Sequence, residues 1–146
     1  MIIVAAIGLS GGMAIGVQSP IAVAMAHRVG EASGSLILHL SGSIASLVLV
    51  LIRGGETISQ WKSLPWYMYA SGALGLILFL SLTQTIPRFG AAAAITLLVA
   101  GQLISGLAID HFGLFEVAVR KIDIVRLLGV VFLFVGIILI IRPVSV

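Results

Sequence analysis

Apolar residues fill five stretches of this chain, and polar residues collect between them. The stretches cover about residues 2–26, 33–52, 66–85, 91–109 and 124–141. Each is close to the ~20 residues an α-helix needs to cross a hydrocarbon core of about 30 Å. The pattern predicts an all-α polytopic membrane protein, with five transmembrane helices in one domain over residues 1–146.

Within the stretches, small and polar positions fall on particular faces. In helix one, Gly8, Gly12 and Gly16 recur every fourth residue, and Pro20 and Ala24 continue the stripe. Such a face lets another helix come close. Pro20 removes a backbone donor and predicts a kink. The carbonyl it frees calls for Ser19, a neighbouring helix or water. The stripe reads as packing alone, or as a kink beside a solute path near Gln18.

After the link His27–Glu31, helix two places His39, Gly42, Ser43 and Ser46 on one face at i, i+3, i+4 and i+7. An imidazole inside a membrane helix is costly enough to call for a partner. Two readings stay open. His39 is a neutral ring bonded to a serine or carbonyl near the interface, or it carries a proton, because imidazole changes charge near physiological pH.

The loop Arg53–Pro65 ends among Trp61, Trp66, Tyr67 and Tyr69. Rings with one polar edge favour the headgroup region, so the cluster reads as an aromatic belt, with a substrate cage as the alternative. Ser71, Gly72 and Gly75 soften one side of helix three, and Pro87-Arg88-Phe89-Gly90 predicts a tight turn.

Helix four carries Gln102, Gly106 and Asp110 at i, i+4 and i+8, with Ser105 beside them. An amide at the depth of Gln102 must find hydrogen bonds or incur several kcal/mol of desolvation. It therefore faces protein or a wet cavity, as interhelical glue or as a contact for solute. Asp110 is expected at the interface. In helix five, Gly129 and Gly136 lie one heptad apart, and Arg142-Pro143 ends the run. This helix is expected at the periphery or against a partner's copy of itself.

Composition narrows the class. Sixty per cent of residues are hydrophobic and 9% are charged, and mean hydropathy is +1.27. That leaves little to build a water-soluble domain. The net charge of +3 and pI near 10.0 do not point to nucleic acid, because no basic cluster exceeds the pair Arg120–Lys121. With no cysteine, disulfides, thiolate metal sites and a Cys nucleophile are excluded. His27, His39 and His111 lack metal-ligand spacing, and no phosphate-binding Gly loop, GxSxG or HExxH occurs. No enzymatic activity, cofactor or metal is expected. No Lys or Arg precedes the first apolar run, so a retained helix is expected there rather than a cleaved signal peptide.

Five crossings put the termini on opposite sides. One face receives Arg53, Lys62, Arg120, Lys121 and Arg126; the other receives Arg28, Arg88 and Arg142. The bias favours a cytoplasmic N-terminus and a periplasmic or extracellular C-terminus. An odd number of crossings also means that two such units in tandem would have opposite orientations, as in inverted-repeat transporters.

Three segments carry a family likeness: Pro87-Arg-Phe-Gly-Ala-Ala, Val99-Ala-Gly-Gln-Leu-Ile-Ser-Gly-Leu-Ala-Ile-Asp-His-Phe-Gly-Leu-Phe, and Arg126-Leu-Leu-Gly-Val-Val-Phe-Leu-Phe-Val-Gly. Through them the chain resembles the YdcZ-like family, a five-helix branch of the drug/metabolite transporter (EamA-like) superfamily. The resemblance implies a bacterial inner-membrane protein folded like half of a ten-helix transporter. It also implies pairing, as an antiparallel homodimer or with a related five-helix chain. It names no solute. Small multidrug resistance proteins, which are relatives, carry a membrane-embedded glutamate in helix one; this chain has no acid there.

The expected function is a secondary-active permease that moves a small solute through a dimer of five-helix units. Gln102, Ser105, His39 and Gln18 are candidates for the pathway. Gly8, Gly12, Gly16, Gly106, Gly129 and Gly136 are candidates for helix packing. The alternative is a non-transporting accessory or regulatory subunit of another membrane protein. Lipid, a second five-helix chain and a small solute are the expected partners.

Overall fold

The computed structural model describes residues 1–141, so the expected helix terminus at Arg142-Pro143 lies outside the described residues. Five helices form: α1 (Ile2–Val29), α2 (Glu31–Ile52), α3 (Trp66–Phe89), α4 (Ala91–Phe112) and α5 (Ile124–Ile140). Short 3-10 helices lie at Ile58–Ser63 and Leu114–Glu116, and no strand occurs among the described residues. The helices α1 to α4 are long and apolar enough to cross a membrane. α5 has 17 residues, roughly 25 Å at 1.5 Å per residue, at the short end of what spans a bilayer. The chain is an all-helical, polytopic membrane protein.

The links between helices are shorter than the sequence suggests. The expected polar link at His27–Glu31 reduces to Gly30, and the expected tight turn at Pro87–Gly90 reduces to Gly90. α3 continues through Pro87 to Phe89. The reason is backbone geometry. Gly30 has φ 88°, ψ 154° and Gly90 has φ 81°, ψ 163°, a region that is essentially glycine-only. One such residue separates two helices without unwinding either neighbour. The amide of Gly30 still donates to the Ala26 carbonyl, and the amide of Gly34 donates back to Gly30. Gly90 repeats this with Ile86 and Ala94.

The chain divides into two compact units, Met1–Gln84 and Thr85–Val146. In the first, Ala22 and Ala26 of α1 and Phe79 of α3 form a small buried cluster, with Leu38 of α2 packed against it. Phe79 is 2% exposed. A Cβ added at Gly34 would lie 3.2 Å from the backbone N and Cα of Ala26 and from Phe79 Cζ. Glycine there is what lets α1 and α2 approach. Hydroxyls along the helices are satisfied locally. Ser10, Ser19, Ser41, Ser43, Ser46 and Ser71 each donate to a carbonyl three or four residues back. That lets them sit in lipid without a partner.

In the second unit, α4 packs on α5 and on the Leu114–Glu116 turn. Gly113 closes α4 in the left-handed region (φ 64°). Asp123 caps α5, its Oδ1 accepting from the Arg126 amide at 2.8 Å.

Most of the apolar surface is not covered by the chain itself. Only 6% of the most apolar window of α1, and of α2, is buried. That surface suits lipid or another polypeptide.

Candidate functional site

The stripe predicted on α4 lines a cavity in the second unit. Gln102, Gly106 and Asp110 of α4 face Arg126, Gly129 and Leu133 of α5 across a space of about 540 Å³. The i, i+4, i+8 spacing puts the three α4 residues on one face. The i, i+3, i+7 spacing does the same for α5. Two of the candidate packing glycines, Gly106 and Gly129, lie opposite each other here. A Cβ at either would meet nothing within 4 Å, so their effect is to widen the cavity. Ser105 is exposed on α4 and is not among the residues lining it.

The charge in this cavity is paired. Arg126 Nη1 lies 3.4 Å from Asp110 Oδ2, with the two side chains 31% and 33% exposed. Arg126 Nη1 also reaches the Arg120 carbonyl at 3.4 Å. At those distances the contact is an ion pair with loose hydrogen bonds. The cavity therefore joins an apolar wall to one amide and one carboxylate–guanidinium pair. It can hold a small solute with an apolar body and a polar end. Partial exposure keeps the pair's contribution to stability small. Asp110→Asn is expected to lower stability by about 1 kcal/mol, and the swap Asp110→Arg with Arg126→Asp is expected to recover part of it. Equilibrium unfolding in mixed micelles reads both.

The other two candidates lie in the first unit. His39 is on α2, with its Nδ1 2.7 Å from the Ser35 carbonyl and 3.3 Å from the Ser35 hydroxyl. That carbonyl can only accept, so Nδ1 carries a proton. Nε2 points at α3: a Cβ added at Gly75 would lie 2.7 Å from it. A donating Nδ1 is common to both readings of His39, the neutral ring and the proton carrier. Gln18 is exposed on α1 and, with Ser19, Gly75 and Phe79, lines a small cavity of about 50 Å³. Ser19 spends its hydroxyl on the Ile15 carbonyl at 2.7 Å, not on the carbonyl freed by Pro20.

The glycines proposed for packing meet open space. A Cβ at Gly8, Gly12, Gly16 or Gly136 would have nothing within 4 Å. The tight approaches within the chain are instead at Gly34, Gly75 and Gly113. The aromatic cluster is ordered around the Ile58–Ser63 turn. The Tyr69 hydroxyl donates to the Trp61 carbonyl, the two rings meet edge-on at 6.4 Å, and Lys62 Nζ lies 5.7 Å from the Trp61 ring centre.

Sequence reasoning missed three groups. Arg126 enters the sequence reading only as one of the bases on one membrane face, yet it pairs with Asp110 sixteen residues earlier. Ser35 is a buried partner of His39. Glu31 Oε1 accepts from Gln84 Nε2 at 2.8 Å, joining the start of α2 to α3. The only signal for Arg126 was its place just after the N-capping Asp123. Among the described residues, no group of three His, Asp or Glu side chains is placed to hold a metal ion.

No curated protein and no solved structure matched the chain. Residues 3–139 match the family described as "Putative inner membrane exporter, YdcZ". That span takes in all five helices nearly whole, including every residue of the α4–α5 cavity. With four long apolar helices and a fifth shorter one, the chain is a multi-pass inner-membrane protein, and it belongs to the YdcZ family of the drug/metabolite transporter type.

Proposed function

We propose that the chain is a secondary-active exporter of a small solute and works as a pair of five-helix units, with itself or with a related chain. The cavity of about 540 Å³ between α4 and α5 carries this reading. An amide and an ion pair set in an otherwise apolar wall are expensive in lipid unless they meet polar groups. A solute with a polar end supplies them. Two units of opposite orientation would place such cavities about a shared midplane, and rocking of one unit against the other would give alternating access. The open glycine face of α1, at Gly8, Gly12 and Gly16, offers a smooth surface for the second unit. The N-terminus is assigned to the cytoplasm by the distribution of basic residues.

Flux into proteoliposomes, over a panel of small amines, amino acids and other metabolites, tests this reading. Wild type is expected to move at least one of them saturably. Gln102→Ala is expected to lower that flux about 10-fold or more, the cost of losing one hydrogen bond of ~1.5 kcal/mol in a low-dielectric site. Equal nonzero flux in the two proteins would remove Gln102 from the pathway. No flux for any solute, with the protein folded and inserted, would favour an accessory role.

A further inference from the structure

The segment Gly113–Asp123 folds back over the end of α4 and is tied down at several points. The Arg120 amide donates to the Asp110 carbonyl at 2.8 Å. Val119 packs on Gly113 so closely that an added Cβ there would come within 2.6 Å of Val119 Cγ2. Arg126 Nη1 reaches both Asp110 and the Arg120 carbonyl. The backbone is strained as well: Phe115 and Glu116 have φ 56° and 65°, two successive non-glycine residues in the left-handed region. This segment is a strap held closed by its contacts.

One contact depends on a titratable group in a way the others do not. The Ile122 amide donates to His111 Nδ1 at 3.3 Å. A backbone N–H can only donate, so Nδ1 must present a lone pair, and the ring must be neutral with its proton on Nε2. A protonated ring has N–H on both nitrogens. It would set a donor against a donor and place its positive charge beside the amide hydrogen. His111 and Ile122 also line one end of an apolar cavity of about 350 Å³, with Leu107, Phe112 and Leu127. The other residues that line this cavity are apolar. The charged groups on the elements that meet here are Asp110 on α4, Glu116, Arg120, Lys121 and Asp123 on the strap, and Arg126 on α5. Asp110 is engaged by Arg126, and Asp123 caps α5.

We infer that His111 is a proton-operated latch: neutral, it accepts from Ile122 and holds the strap over the α4–α5 end of the second unit; protonated, it releases the strap. Release would loosen the contacts at Asp110 and Arg126, which line the larger cavity. His111 is thus a positioning residue. Its consequence for transport rests on the exporter reading, but the latch itself does not.

The chain has no native cysteine, so one reporter can be placed cleanly. A nitroxide spin label on Lys121→Cys, an exposed strap position, reads strap mobility in lipid vesicles without requiring any solute. Between about pH 8 and about pH 5, where imidazole changes charge, the mobile spectral component is expected at least to double. In His111→Asn the side-chain oxygen can accept near the place of Nδ1 and does not titrate, so the label is expected to stay immobile throughout. In His111→Phe it is expected to be mobile throughout. An unchanged spectrum across this range in the His111 protein would overturn the latch. So would the same pH response in His111→Asn, which would assign the switch to a carboxylate. Flux measured separately on His111→Asn reports on the exporter reading: pH-dependent mobility with no flux in either protein would leave the latch standing and remove its link to export.

Discussion

Gly30→Ala and Gly90→Ala are each expected to cost about 1–3 kcal/mol of stability, the penalty for holding a side-chain-bearing residue where only glycine is comfortable. No steric collision contributes, because a Cβ at either position would meet nothing within 4 Å. The cost comes from the backbone alone: φ 88°, ψ 154° at Gly30 and φ 81°, ψ 163° at Gly90. Either helix would have to unwind by a residue or two to relieve it. That would break the bonds from the Gly30 amide to Ala26 or from the Gly90 amide to Ile86. Equilibrium unfolding in mixed micelles reads the loss. Gly8→Ala serves as the control, since Gly8 is helical and has open space around it. If both hinge variants proved as stable as this control, the single-residue links would be wrong.

Gly34→Ala is the second large effect, with a different cause. Its added methyl would sit 3.2 Å from two backbone atoms of Ala26 and from Phe79 Cζ. Phe79 can adjust, but the α1 backbone cannot rotate away. α1 and α2 must part by some tenths of an ångström, and the contacts of Ala22, Ala26 and Phe79 loosen with them. Lipid tails are as apolar as the side chains, so association depends on close packing rather than on escape from water. The expected cost is about 1–3 kcal/mol, as for overpacking elsewhere. Gly42→Ala, on the same helix with open space around it, is expected to change stability by less than about 0.5 kcal/mol.

These positions show what the sequence could reveal. Runs of Leu, Ile, Val and Ala located all five helices, because a bilayer imposes one apolar length on each crossing. The links were harder to read. Pro87 and the segment His27–Val29 looked like turn material, yet they complete the last turns of α3 and α1. Glycine at the following position can interrupt the helix alone, so nothing else need leave it. The cavity was half legible. Gln102, Gly106 and Asp110 share a helix face by spacing alone, but their partner Arg126 lies on another helix. The α4–α5 loop decides that pairing, and its strained turn at Phe115–Glu116 has no sequence signature. The link from His111 to Ile122 has the same origin. His39 was legible as a polar group in need of a partner. Its pairing with the Ser35 carbonyl follows helical spacing, whereas the fit against Gly75 depends on how α3 packs.

Function depends most on whether this chain needs a second half. Counting copies per particle by single-molecule photobleaching, after dilute reconstitution of the labelled protein in vesicles, addresses that directly when flux is recorded on the same preparation. Two units per transporting vesicle are predicted for the chain alone or with its related partner. Gly12→Leu, on the face of α1 where an added Cβ would meet nothing within 4 Å, should leave folded single copies with no flux. Full flux from vesicles that hold one copy would contradict the paired exporter.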